Sequence, residues 1–350
     1  MAKLALTGGG RCNITNTFEF TASMQEVYPR GTVFMKRALA EFPPSALLEW
    51  FEKRGVSFVT EDEGRVFPAS GDAMQIVNTL LDSLEGVEIR CRTRLAELPE
   101  SDIVIVTTGG GSGMEILRGL PVETVPPVPS LFTFNISDTP SGGRSELGSL
   151  MGISAEASLL IPGTKFRSEG SLLITDWGLS GPAALRLSSY SARHLAECGY
   201  HSPLSVRWCE NPEDALGALR EDNPYKMLKS VHPEGIASRL WEYLLHRSGA
   251  DPLMPWAEAG RRTLNRLASV LLGDVYYING KTRFRDEFVT CGGVSLSSLN
   301  PATLESRERP GLYFAGEVLD VDAVTGGYNL QAAWSSAYLV AKSIIKQYDT

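Results

Sequence analysis

The sequence predicts an α/β fold in which a discontinuous nucleotide-binding half is interrupted by a β-rich segment and a helical one. Three observations carry that expectation. At the C-terminal end, Leu312-Tyr313-Phe314-Ala315 reads as a short buried strand and Gly316-Glu317 ends it. Gly326-Gly327-Tyr328-Asn329 then opens a helix whose Leu330, Ala333, Trp334 and Leu339 recur at helical spacing. Ile103-Val104-Ile105-Val106 is a continuous β-branched run suited to a strand covered on both faces, and it ends in Thr107-Thr108-Gly109-Gly110. Between these ends the composition changes at Pro121, Pro126, Pro127 and Pro129, after which β-rich runs and then helical periodicity follow.

A strand, a carboxylate and a glycine-opened helix start together suit a nucleotide. Backbone N–H groups and the dipole at a helix start attract anions or an electron-rich ring edge, and glycine lets that backbone come close. A carboxylate just past the strand accepts hydrogen bonds from polyol hydroxyls. The ordinary alternative is a strand-loop-helix that merely closes a domain. Glycines directly after Ile103–Val106 stand where a doubly wound sheet approaches its ligand. As an independent dinucleotide fingerprint that run is weak, because Ile116 stands where the third glycine belongs.

The remaining elements read in order. Gly8-Gly9-Gly10 follows a short expected strand, and Arg11 suits a phosphate or the face of an aromatic ring. Cys12 is either an acid or a buried small hydrophobe, and Asn13, Thr15 and Asn16 are turn formers or hydrogen-bond partners of a ring. Residues 31 to 55 read as two amphipathic helices parted at Pro43-Pro44, with Phe34, Trp50 and Phe51 in the core. Gly64-Arg65-Val66-Phe67-Pro68 reads as a turn into a strand. Asp72 caps a helix carrying Ile76, Val77 and Leu80, and Val87–Cys91 reads as a strand. Leu131–Ile136, Ala157–Ile161 and Leu172–Thr175 are strands of the β-rich part, and Pro182 opens a helix running through Leu185, Leu187 and Leu195. Ser180 lacks the G-x-S-x-G setting of a hydrolase nucleophile. Residues 210 to 272 are helical; Arg261, Arg262 and Arg266 share one helix there, as a small basic face or a solvated one. Val275–Ile278 and Phe288–Val294 return the chain to strand.

Composition narrows the classes. With 350 residues and 43% hydrophobic content the chain can bury a sizeable core. A net charge of −8 argues against a broad nucleic-acid surface while leaving a local basic patch open. Five cysteines without C-x-x-C spacing suit a reducing compartment, no metal motif emerges, and no run reaches a membrane span, so a cytoplasmic protein is expected.

Two long motifs resemble one family. Gly316-Glu317-Val318-Leu319-Asp320-Val321-Asp322 with Thr325-Gly326-Gly327-Tyr328-Asn329-Leu330-Gln331 is similar to the C-terminal motif of the HI0933-like flavoproteins. Lys3-Leu4-Ala5-Leu6-Thr7-Gly8-Gly9-Gly10-Arg11-Cys12-Asn13-Ile14-Thr15-Asn16 resembles their KLxxSGGGRCNxTN segment. Gly64–Pro68, Thr108-Gly109-Gly110, Trp177–Pro182 and Val289–Val294 fall in the family's order. The resemblance implies a Rossmann-like FAD-binding domain from residues 1–125 and 290–350. It implies an inserted β-rich, barrel-like domain from 126–209 and 273–289, and a helical insert from 210–272.

The resemblance also implies roles. Glu317 would hold the ribityl hydroxyls of FAD, and Gly327, Tyr328, Asn329 and Leu330 would present a helix start to the flavin ring. Lys3, Gly8, Gly9, Gly10, Arg11, Asn13, Thr108, Gly109, Gly110, Gly316, Asp320 and Gly326 would complete the cofactor site. Cys12, as proton donor, and Arg65, as a charge for substrate, are the expected catalytic residues. NAD(P)H is the expected electron donor, and the substrate is a small molecule or an RNA base at the seam between the flavin domain and the inserts. One departure stands out: the family's first strand, G-x-G-x-x-G turn and helix precede the GGGRCN segment and are not among these residues, so weak binding of FAD by the 350 residues alone is expected. The general reading is a FAD-dependent oxidoreductase. The alternatives are a flavin-dependent reductase of uridine in ribosomal RNA and a truncated, non-catalytic scaffold. Oligomeric state is not legible.

Overall fold

The computed structural model describes residues 2–95, 97–281 and 289–348. The chain divides into two compact units, Met1–Leu131 with Phe284–Thr350 and, between them in sequence, Phe132–Arg283.

The first unit opens with a helix, α1 (Ala2–Leu6), where a strand was expected. Alanine, leucine and lysine are strong helix formers, and α1 buries Leu4 in a core cluster with Cys12, Ile14, Phe51 and Ile76. A left-handed run, Gly8, Gly9, Gly10 and then Cys12, turns the chain into β1 (Thr15–Asn16). After α2 (Met24–Val27) come α3 (Thr32–Glu41) and α4 (Pro44–Glu52), parted at the two prolines as expected, with Pro44 in the first turn of α4. Phe34 and Phe51 are buried, but Val33 points to solvent. The hairpin β2 (Phe58–Glu61) and β3 (Arg65–Pro68) joins β1 in an antiparallel sheet of order β1-β3-β2, and its turn runs through Glu63 and Gly64 in the left-handed region. Asp72 caps α5 (Ala73–Asp82) by accepting from the Met74 N–H.

Val87–Cys91 is not a strand: its side chains are exposed, and no strand pairs with it among the described residues. The β-branched run forms β4 (Val104–Val106), yet it is not covered on both faces. Ile105 is 46% exposed and borders an apolar groove of about 360 Å³ that also includes Leu95, Leu98 and Ile116. The proline-rich run, expected only to break helix, is itself a strand, β5 (Thr124–Ser130). It has a single partner strand among the described residues, so the donors that prolines lack are not missed.

The second unit is a closed six-stranded antiparallel barrel with helices. Its strands are β6 (Phe134–Ser137), β7 (Ser154–Leu160), β8 (Arg167–Ile174) and β9 (Gly178–Ser180), then, after α6 (Gly181–Tyr190) and α7 (Ala192–Glu197), β10 (His201–Arg207). The expected helical stretch contains α8 (Pro212–Asp222), α9 (Ser238–Ser248) and α10 (Arg261–Gly273), and β11 (Asp274–Lys281) follows. The order β10-β11-β6-β9-β8-β7 closes because β10 also pairs with β7, which removes every open edge. Buried Leu159, Leu172, Leu179 and Leu204 alternate with outward positions along these strands.

Back in the first unit, β12 (Val289–Val294) pairs antiparallel with β5, and β13 (Leu312–Phe314) pairs parallel with β4, Val104 opposite Leu312 and Val106 opposite Phe314. The long α11 (Tyr328–Tyr348) closes the chain. Phe288, expected to begin a strand, lies outside the described residues. No helix among them is long and apolar enough to cross a membrane.

Candidate functional site

Parallel pairing sets the site. Because β4 and β13 run side by side in register, their C-terminal ends lie together, and each continues into a glycine-containing turn, Thr107–Gly110 after one and Ala315–Glu317 after the other. The crevice outside the carboxyl ends of parallel strands is where α/β sheets bind ligands.

Glu317 is the centre of this region. One carboxylate oxygen accepts from the Thr290 N–H at 3.0 Å; the other accepts from the Gly110 N–H at 3.2 Å and from Lys3 Nζ at 2.8 Å. A carboxylate offers about four lone-pair positions, so one remains open, and the Lys3 side chain, 59% exposed, is displaceable. Gly110 is required by contact rather than by φ: a Cβ there would overlap the Thr290 side chain and lie 2.9 Å from Glu317 Oε1. Gly316 has φ +77° and donates its N–H to Ser336 Oγ on α11 at 2.9 Å. Lys3, Thr108, Gly109, Gly110, Gly316 and Glu317 thus share one neighbourhood. Asp320 lies on the segment leaving it, its N–H donating to the Val294 carbonyl at 2.9 Å.

The start of α11 forms the second part. With the Asn13 amide turned to satisfy its neighbours, its nitrogen donates to the Thr15 and Val66 carbonyls at 2.9 and 3.2 Å, and its oxygen accepts from the Gly327 N–H at 3.1 Å. Asn16 Nδ2 donates to the carbonyls of Gly326 (3.1 Å) and Glu63 (3.0 Å). The Asn329 side chain holds Ala323, accepting from its N–H and donating to its carbonyl, both at 2.9 Å. Tyr328 is packed edge-on against Phe18 and Tyr28, and Leu330 lies against the core cluster. The unsatisfied hydrogen-bonding capacity here is therefore backbone: the first-turn N–H groups of Asn329 and Leu330 have no acceptor among the described residues. Gly8, with φ +60°, packs against the Asn13 backbone, whereas Gly9 and Gly10 face open space.

Arg11 and Arg65 gather elsewhere in this unit. Arg11 lies over the Phe67 ring, 4.2 Å from its centroid, and forks onto Glu61 with Nη1–Oε1 at 2.7 Å, which holds the Glu61 carboxyl below its ordinary range. Arg65 donates from Nε to the Asp62 carbonyl and reaches Glu61 at 4.0 Å.

Cys12 is not with them. Its side chain is fully buried in the core cluster beside Ile14 and Val66, and burial pushes its thiol up to about 11. The sign of the resulting pH dependence is fixed: below about 9 both folded and unfolded chains carry the proton, and above it only the unfolded chain releases it. The Cys12 contribution is therefore whole at pH 8 and is lost towards pH 11. Unfolding free energies of wild type and Cys12→Ala from urea titrations should converge by roughly 2 kcal/mol between those values, at about 1.4 kcal/mol per pH unit once the pH passes about 9. A constant gap would show that the thiol is wet.

Sequence reasoning missed Thr290, whose N–H holds Glu317, and Arg30, whose guanidinium grips Asp322. The Arg30 fork has Nε–Oδ1 at 2.6 Å and an Nη2–Oδ2 bond, and Ser130 Oγ donates to the same carboxylate at 3.0 Å. Asp322 and Gln331 lie inside the quoted motif, which gave them no role. Gln331 accepts from Thr15 Oγ1 at 2.5 Å and donates to the Phe42 carbonyl at 3.2 Å. Among the described residues no group of His, Cys, Asp or Glu is arranged to hold a metal ion.

Comparison with known proteins agrees with this arrangement. Residues 1–343 match the model of the HI0933-like protein Rossmann domain. The chain is 30% identical over 370 residues to the ribosomal RNA dihydrouridine synthase of Escherichia coli (strain K12), covering 98% of this chain and 89% of that one. It is 28% identical over 377 residues to the enzyme of the same name from Haemophilus influenzae, covering 99% and 90%. A 3-dehydro-bile acid delta(4,6)-reductase of Clostridium scindens is 28% identical over 382 residues, covering 97% and 89%. The chain belongs to the HI0933-like family of flavin-dependent oxidoreductases.

Proposed function

We propose that the chain is a FAD-dependent reductase of a carbon–carbon double bond conjugated to a carbonyl. The observation that carries the cofactor reading is Glu317, a carboxylate with one open acceptor position between two parallel strand ends. The donor set fits the group: the carboxylate suits ribityl hydroxyls, and the first-turn N–H groups of α11 suit the electron-rich edge of a flavin ring. The substrate class is supported by relatives named for saturating unlike molecules. Uridine and an unsaturated 3-keto steroid share a double bond polarised by a carbonyl.

When bound, FAD supplies the hydride that adds to the β-carbon, while a proton from solvent or a side chain reaches the α-carbon and NAD(P)H restores the two electrons. Positive potential at the α11 start favours the reduced, anionic ring that α11 would hold. Arg11, exposed, and Arg65, half-buried, offer charge to a carbonyl or carboxylate of substrate. In this reading Cys12 keeps the core closed behind the glycine run, since an acid must reach the atom it protonates.

Glu317→Gln tests the cofactor role. It keeps the shape of the side chain but turns one acceptor into a donor facing an N–H, and it should weaken FAD binding at least tenfold in a fluorescence titration. Equal affinity of the two proteins for FAD would remove Glu317 from the site. NADPH consumption driven by a cyclic enone, with saturated product, tests the reaction.

A further inference from the structure

Helix α10 carries a cationic face that has no carboxylate partner among the described residues. Its Leu267, Ala268 and Leu271 are buried, while Arg261, Arg262, Asn265, Arg266 and Ser269 line an open hollow of about 490 Å³. No carboxylate lies within 4.0 Å of these three guanidiniums among the described residues, although Arg11, Arg90, Arg94, Arg144 and Arg207 each sit on one. Arg261 and Arg262 occupy the first turn, where the helix dipole works against cations, and that turn holds no acidic residue. In a chain with 41 acidic and 33 basic side chains, partners are not scarce. Arg266 Nη2 donates to the Gly249 carbonyl at 3.4 Å, a bond at the long limit, and three guanidiniums gathered at one hollow without a carboxylate repel one another.

We propose that this face docks the phosphate backbone of an RNA. The inference deepens the reductase reading and rests on it, by making the double bond that of a base in a polynucleotide. Guanidinium forks match phosphate oxygens, and Asn265 and Ser269 add neutral donors between them, the mixture that positions a protein on a nucleic-acid backbone. A membrane surface is the poorer partner, because the apolar face of α10 is spent in the core and cannot enter lipid. An acidic protein is poorer too, since the hollow has no aromatic or aliphatic anchor.

The test uses the full chain with FAD added and a fluorescein-labelled RNA hairpin carrying uridines in its loop. Combined Arg261→Gln, Arg262→Gln and Arg266→Gln should weaken hairpin binding about tenfold or more near 100 mM salt. The slope of log Kd against log salt should fall by about 2, and the three Arg→Lys changes should keep it. Where the glutamine triple melts early, Arg262→Gln alone is read, with a slope drop of about 1. An unchanged slope in a stably folded variant overturns the proposal, as does failure of the wild type to bind the hairpin, or equal binding of poly-glutamate or phosphatidylglycerol vesicles. Turnover of a free cyclic enone is measured separately. Reduction of the hairpin's uridines is measured beside it: no turnover of either substrate with the slope change present removes the reductase reading and keeps the docking face, and turnover with an unchanged slope does the reverse.

Discussion

Replacing Asp322 by Ala should destabilise the first unit by about 3–5 kcal/mol, the usual cost of stripping one partner from a buried ion pair. Asp322 is fully buried and the Arg30 side chain is 11% exposed, so removal of the carboxylate strands a guanidinium that water reaches poorly. Three donors lose their acceptor at once: Arg30 gives both Nε and Nη2 to the carboxylate, and Ser130 gives Oγ. The fork also fastens a backbone bridge between Arg30 and Asp322, tying the approach to α3 to the loop before α11. Arg30→Met with Asp322→Leu should recover much of the loss, because an apolar pair leaves no charge stranded. Denaturant midpoints of both single variants and the double provide the cycle. If the single changes cost under about 1 kcal/mol, the pair is hydrated and the loop is held by other contacts.

The parts of the fold legible in the sequence were those whose determinants are local. The Leu312–Ala315 strand, the Gly326-Gly327 helix start, the Pro43-Pro44 break and the Asp72 cap each depend on a few neighbouring residues, and each appears where expected. The short strand expected before Gly8-Gly9-Gly10 and the one at Val87–Cys91 were misread because a short apolar-containing run does not by itself make a strand; a strand needs a partner, and partners are chosen by the rest of the chain. The prolines of β5 show the converse, breaker residues accepted in a strand with one partner. Glu317 was legible through its motif. Thr290 was not, since it contributes a backbone N–H, a group that every non-proline residue has. Arg30 was hidden by distance, 292 residues from the aspartate it grips, with no periodicity to link them.

The glycine at the start of α11 gives the sharper contrast. Gly327→Ala should unseat the helix start and abolish flavin binding, with a stability loss of roughly 3 kcal/mol. About 1 kcal/mol comes from the left-handed φ of +89° and the rest from steric overlap with backbone. The new Cβ would overlap the Thr15 carbonyl, which belongs to β1 and cannot swing aside as a side-chain tip does. Any retreat of α11 also breaks the Gly327 N–H bond to Asn13 and the Trp334 Nε1 bond to the Ile14 carbonyl, 3.1 Å each. Gly9→Ala is the matched control: φ is +67°, but nothing lies within 4 Å of the added methyl, so only the conformational cost of about 1 kcal/mol applies. Thermal melts and flavin absorbance of the two variants separate the effects. Equal behaviour would mean that backbone conformation alone selects glycine at Gly327; a large loss confined to Gly327→Ala would mean that it is selected by the close seating of α11 on the Asn13–Asn16 segment, the contact that fixes the direction of the first-turn N–H groups.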